Sequence, residues 1–172
     1  MSNLLERSEL FATLAVEARS RLGSIARSRA IRAGEYLFLL GDRADSVFIV
    51  ERGQVELCFP IMVGGALRDI PIETKGPGGT LGWSALVAPY RFTLSARAAE
   101  ESVIVGFARH DLQELLLADP SSGYAFMRRV AEIVGQRLLV MQALWARELQ
   151  RAVGGAGPSP HPHLKATPGE HP

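Results

Sequence analysis

Residues 29–108 are cut into short runs of β-branched, aromatic and leucine residues, each closed by a turn signal. Tyr36-Leu37-Phe38-Leu39-Leu40 gives way to Gly41-Asp42. Val47-Phe48-Ile49-Val50 gives way to Glu51-Arg52-Gly53, and Val55-Glu56-Leu57-Cys58-Phe59 stops at Pro60. Further strands are expected at 70–74, 92–98 and 103–108. Runs of this length and spacing, with their turn signals, point to a sandwich or barrel-like roll. Arg52-Gly53 reads as a tight turn with Gly at positive φ, and 62–69, with Gly64-Gly65, as a hairpin tip.

Helical patterns flank this region. In residues 1–28, Leu4, Leu5, Leu10, Phe11, Leu14, Leu22 and Ile25 recur near helical spacing, with Arg19, Arg21 and Arg27 forming a solvated face. In residues 109–153 a short helix over 109–118 ends at Asp119-Pro120, and Ser121 or Ser122 is expected to cap a long one. Its Phe126, Met127, Val130, Ile133, Val134, Leu138, Met141, Leu144, Trp145 and Leu149 recur at steps of three and four. The apolar stripe is broad enough to cover the roll on one edge and a second copy of the helix on the other, which predicts a homodimer through residues 121–152. Residues 154–172 are rich in Gly, Pro and His and read as a disordered, solvated tail that includes His161, His163 and His171.

The net charge is +1 (19 Lys and Arg against 18 Asp and Glu), so no global electrostatic argument favours nucleic acid or a membrane. No apolar run reaches the length of a membrane span, and no secretory leader is visible. One cysteine, Cys58, excludes an internal disulfide and fits a reducing cytoplasm as an inert, packed thiol. His110 reads as a surface residue. No nucleophile–base–orienter grouping and no metal-ligand spacing occurs, so neither an enzyme nor a metal site is expected.

Residues 82–98 read Gly-Trp-Ser-Ala-Leu-Val-Ala-Pro-Tyr-Arg-Phe-Thr-Leu-Ser-Ala-Arg-Ala. Gly82 opens a short turn whose backbone N–H groups could face an anion. A following arginine, Arg91 or Arg97, could close on a phosphate bidentately, and the Thr93 hydroxyl could add a contact.

Gly34-Glu35, the run from Gly41-Asp42-Arg43-Ala44-Asp45 to Val50, and Gly53-Gln54-Val55-Glu56-Leu57 resemble the hairpins of the cyclic nucleotide-binding domain, nearest to the effector domains of CRP/FNR transcription regulators. The resemblance runs from about residue 10 to 153. It implies a mainly β fold with flanking helices: an eight-stranded jelly roll, or double-stranded β-helix, with a long C-terminal helix. It makes 82–98 the phosphate-binding cassette, whose family pattern is Gly-Glu-x-Ala-Leu followed by Arg-Ser/Thr-Ala. In that pattern the Glu holds the ribose 2′-hydroxyl and the Arg holds the cyclic phosphate. This chain keeps Gly82, Ala85 and Leu86, but has Trp83 at the Glu position and Phe92 at the Arg position, with Thr93 on the Ser/Thr position. Arg91 lies one residue early, where strand alternation turns it to the other face. A carboxylate accepts two strong hydrogen bonds and an indole accepts none, which costs a ribose contact roughly 1.5–3 kcal/mol.

The resemblance implies a cytoplasmic, non-catalytic regulatory domain that senses a cyclic nucleotide or a related small anion through Gly82, Trp83, Ser84, Ala85, Arg91, Thr93 and Arg97. Gln142 and Arg137 of the long helix stand nearest the base. The competing readings are a degenerate dimerisation module that binds no nucleotide, and a truncated CRP/FNR-type regulator. Residues 154–172 have no composition for a helix-turn-helix, so no DNA binding is expected of this chain.

Overall fold

Two four-stranded antiparallel sheets form the body of the protein. The computed structural model describes residues 1–154. The reading of the tail at 155–172, with its three histidines, lies outside them. The chain divides into two units, Met1–Ala131 and Glu132–Pro172, and the roll lies in the first.

The strands are β1 (Arg27–Ile31), β2 (Tyr36–Phe38), β3 (Ser46–Arg52), β4 (Val55–Val63), β5 (Ala66–Lys75), β6 (Thr80–Leu81), β7 (Ser95–Ala98) and β8 (Ser102–Ala108). One sheet has the order β1-β8-β3-β6 and the other β2-β7-β4-β5. With α1 (Ser2–Arg7), α2 (Val16–Ile25), α3 (Arg109–Ala118) and α4 (Pro120–Val153), this is the eight-stranded roll with flanking helices that the resemblance implies. The turn at Gly53 takes φ 86°, as expected from Arg52-Gly53.

The centre of the first sheet is apolar, while its edge strand β1 is exposed from Arg27 to Ala30. Val47, Ile49, Val105 and Phe107 are fully buried, as are Val50 and Ile104 on the alternate positions. Phe107 faces the helices. Its ring centroid lies 4.8 Å from that of Phe11, in the 3-10 turn Phe11–Thr13, and Phe11 lies 5.4 Å from Phe126 on α4. These tilted contacts are favoured aromatic geometry and form the centre of the helix–sheet core.

Two strand ends differ from expectation. β4 runs through Pro60 to Val63, and the β4–β5 turn is at Gly64-Gly65. Strand β7 stops pairing with β4 at Cys58, so beyond it the β4–β5 ribbon has an open edge, where a proline without an N–H is tolerated. The segment expected as a strand over 92–98 pairs regularly only as Ser95–Ala98, preceded by an isolated bridge between Arg43 and Arg91.

Lys75 ties the N-terminal segment to the sheet: its ammonium lies 2.8 Å from Glu9 and 2.9 Å from Glu73. Burial pulls its pKa down, but the two carboxylates outweigh it and leave it above the ordinary lysine value.

At the start of α4, Asp119 rather than Ser121 or Ser122 provides the cap. Its Oδ1 accepts the backbone N–H of Ser122 at 3.2 Å, and Pro120 occupies the first helical turn, where no N–H is needed. Hydrogen bonds from the Ser122 hydroxyl and backbone hold the Asp119 pKa below the usual carboxylate value. A depressed carboxylate pKa stabilises the fold above the unfolded-state pKa and stops doing so as pH falls through the folded one. Asp119→Asn is therefore expected to lower the melting midpoint at pH 7, with the difference from wild type shrinking in acid. A difference that stays constant down to the acid limit would reject the cap.

Candidate functional site

The cassette begins at the end of β6. Gly82 takes φ 75°, ψ 27°, and caps the 3-10 turn Trp83–Leu86, where the Ala85 N–H bonds the Gly82 carbonyl at 2.9 Å. The left-handed conformation suits glycine, and so does the space: a Cβ there would meet the Ser46 carbonyl at 2.9 Å, Phe92 Cε1 at 3.1 Å and Phe48 Cδ2 at 3.3 Å. Ser84, Ala85 and Leu86 are buried and Trp83 is half-buried.

The close approach of Phe92 to Gly82 defines the site. Residues 90–92 run antiparallel to 41–44: Phe92 N–H bonds the Asp42 carbonyl at 2.9 Å, and the Phe92 carbonyl takes the Gly41 N–H at 2.8 Å. This turns the Phe92 side chain inward, where it is 6% exposed and stacks on Phe38 with centroids 3.7 Å apart and planes 11° apart. Phe38 also faces Phe48 at 5.9 Å. Three aromatic rings therefore bridge the two sheets beside the cassette turn.

The arginines expected at the site go elsewhere. Alternation turns Arg91 away from the side that Phe92 occupies. It is exposed, opposite Arg43, and donates to the Gly41 carbonyl at 2.8 Å. Thr93 is exposed. Arg97 alternates with the buried Ala96 and Ala98, so it lies on the outer face of its sheet, where it pairs with Glu56 at 2.8 Å. That hydrogen bond raises the Arg97 pKa above its ordinary value. Beside it, Tyr36 donates to Asp69 Oδ2, which pushes the phenol upward. Cys58 is fully buried near these groups, and burial raises its thiol pKa, which keeps it protonated and unreactive.

Of the residues picked out in the sequence, the structure thus brings together Gly82, Trp83, Ser84 and Ala85. It does not bring Arg91, Thr93 or Arg97 to them. Gln142 is exposed on α4, in the second unit. Phe38 and Phe48, which shape the site most, were not singled out. Their signal was present as aromatic residues on strands facing a cassette that carries Phe92 at the Arg position.

Among the described residues, no group of three or more His, Cys, Asp or Glu could hold a metal, and no helix is long and apolar enough to cross a membrane. The model of the cyclic nucleotide-binding domain matches residues 28–119, more than half of the chain. The chain belongs to the cyclic nucleotide-binding domain family.

The solved structures that share this fold include relatives of the CRP/FNR type. The N-terminal domain of a transcriptional regulator from Streptomyces coelicolor A3(2) is 27% identical. The match covers 78% of this chain and 94% of that one, with a TM-score of 0.66. The catabolite activator protein of Thermus thermophilus is 26% identical with a TM-score of 0.65. There the match covers 80% of this chain but 63% of that one, so this chain spans less than two thirds of that regulator. A cyclic nucleotide-binding domain from Methylobacillus flagellatus KT shares the fold over 92% of this chain and 83% of its own, at 19% identity and a TM-score of 0.66. No curated protein matches the chain. The family and these neighbours are regulatory ligand-binding and transcription-regulator domains.

Proposed function

We propose that this chain is a non-catalytic, cytoplasmic regulatory domain in which aromatic packing has replaced the ribose and phosphate contacts of the cassette, and which acts by associating with a second copy of itself. One observation carries the reading: Phe92, which stands at the Arg position of the family pattern, lies on Phe38 and against Gly82. A buried ring there offers no donor, and Trp83 offers no acceptor for a ribose hydroxyl. The test is titration calorimetry. Cyclic AMP and cyclic GMP are expected to give no saturable heat up to roughly 1 mM, a limit set by millimolar affinity. Micromolar binding by the wild type would overturn the reading.

The second reading is sensing of a small anion at Gly82, Trp83, Ser84 and Ala85. What favours it is the retained left-handed Gly82 with its turn and the partial exposure of Trp83. Such a ligand would have to displace Phe92 or lie above it, and Arg91, Thr93 and Arg97 would have to turn toward it.

Self-association is supported by the second unit. Leu138, Met141, Leu144, Trp145 and Leu149 are each more than half exposed on one helix. An apolar stripe of this size ordinarily has a partner. Light scattering is expected to give twice the 18.6 kDa chain mass, and Leu144→Glu to reduce it toward the monomer. A wild type that stays monomeric at high micromolar concentration would reject the dimer. No sequence-specific DNA binding is expected, given a net charge of +1.

A further inference from the structure

A concave site lies beside Phe48, at the ring edge turned away from Gly82. It is a cleft of about 220 Å³ lined by Arg27 and Arg29 of β1, Leu37 of β2, Ser46 and Phe48 of β3, and Ile104, Gly106 and Ala108 of β8. Registers place Arg27 opposite Gly106, Arg29 opposite Ile104, Phe48 opposite Gly106 and Ser46 opposite Ala108, so these positions share one face of the sheet. Phe48 is the partition. Its Cδ2 edge faces Gly82, while its Cδ1 and Cε1 atoms would lie 3.2 Å from a Cβ on Gly106. Gly106 has no side chain, so bare backbone forms part of the floor beside a ring and two aliphatic side chains.

The charge at the rim is unevenly compensated. Arg29 is paired with Glu35. Arg27 donates only to the carbonyls of Ser24, at 3.3 Å, and Ala26, at 3.0 Å, and among the described residues has no acidic partner. A flat apolar floor with one uncompensated guanidinium above it has a definite ligand chemistry. The floor takes a small planar or branched hydrocarbon body, and the guanidinium takes a carboxylate, whose two oxygens match its fork. The volume is below the range of about 300–1,000 Å³ seen for drug-sized ligands, which limits the body to about one ring.

We propose that this cleft binds a small apolar carboxylate, with Arg27 as the anion contact and Phe48, Ile104 and Gly106 as the floor. The cleft shares the wall of Ser46 and Phe48 with the cassette but is lined by none of residues 82–98.

The test follows amide chemical shifts during titration with sodium benzoate, with benzamide as the neutral isostere. Benzoate is expected to shift Ser46, Gly106 and Ala108 saturably, with a Kd on the order of 1 mM as befits nine non-hydrogen atoms, and benzamide about 10-fold more weakly. Arg27→Gln is expected to remove that preference while leaving the melting midpoint unchanged, because the side chain is exposed on an edge strand. Arg27→Lys should retain part of it. The proposal is overturned if benzoate does not saturate by roughly 20 mM, well above the expected Kd. It is equally overturned if benzamide binds as well as benzoate, if Arg27→Gln binds benzoate unchanged, or if the shifts fall on residues 82–86 instead.

Discussion

Replacing Phe107 with alanine is expected to lower the unfolding free energy by roughly 3–5 kcal/mol. Phe107 is fully buried on β8, against Phe11, which in turn meets Phe126. The loss combines the transfer energy of the ring, the cavity left behind and one tilted aromatic contact. The cavity would not collapse easily, because its walls come from a sheet, a 3-10 turn and a helix, each held by its own backbone hydrogen bonds. In a domain of this size, that loss corresponds to a fall in melting midpoint of roughly 10–15 °C. Denaturant unfolding with an unchanged m-value is the measurement. A loss below about 1 kcal/mol, the typical cost of an unremarkable substitution, would mean the trio is not the centre of the core.

The double variant Trp83→Glu/Phe92→Arg is expected to gain cyclic AMP binding by at least 100-fold, from two charge-assisted contacts of roughly 1.5–3 kcal/mol each. Position 92 already points into the roll beside Gly82, so an arginine there starts from the direction a phosphate contact requires. Removing the ring from the Phe38 stack also opens the space a nucleotide would fill. Without ligand the variant should melt lower than wild type, because an unpaired cation replaces packed aromatic surface. Cyclic AMP should then raise its midpoint, which the wild type should not show. A variant that keeps the wild-type far-ultraviolet spectrum yet binds nothing would show that the cassette backbone, and not only these two side chains, has departed from a nucleotide site.

Much of the fold was legible because strand pattern and turn chemistry agree. Gly53 and the Gly64-Gly65 tip sit at turns, and the apolar run Val47 to Val50 holds Val47, Ile49 and Val50 in the core, with Phe48 half-buried. Local signals failed where a long-range partner decides. Pro60 reads as a strand end, yet the strand continues because its far edge is open there. Ser121 and Ser122 have good capping chemistry, but Pro120 starts the helix one residue earlier and leaves the cap to Asp119. At the site, Gly82 and the alternation that separates Arg91 from Phe92 could be read along one strand. The pairing of Arg97 with Glu56, and the meeting of Phe38, Phe48 and Phe92, join residues far apart in the chain, and no local pattern encodes them.

The order β1-β8-β3-β6 sets a schedule for synthesis on the ribosome. Arg27 pairs with Gly106, and every residue of β1 waits for β8 before it has a partner. That strand emerges about 80 residues later, which at typical elongation rates means roughly 4–16 s with β1 unpaired. Nothing in the nascent chain can close the first sheet sooner. Over that interval Arg27 and Arg29 serve β1 as positive charges on an open strand, a familiar guard against pairing with a neighbouring chain. The residues at the rim of the cleft in the finished roll thus also protect the unfinished one.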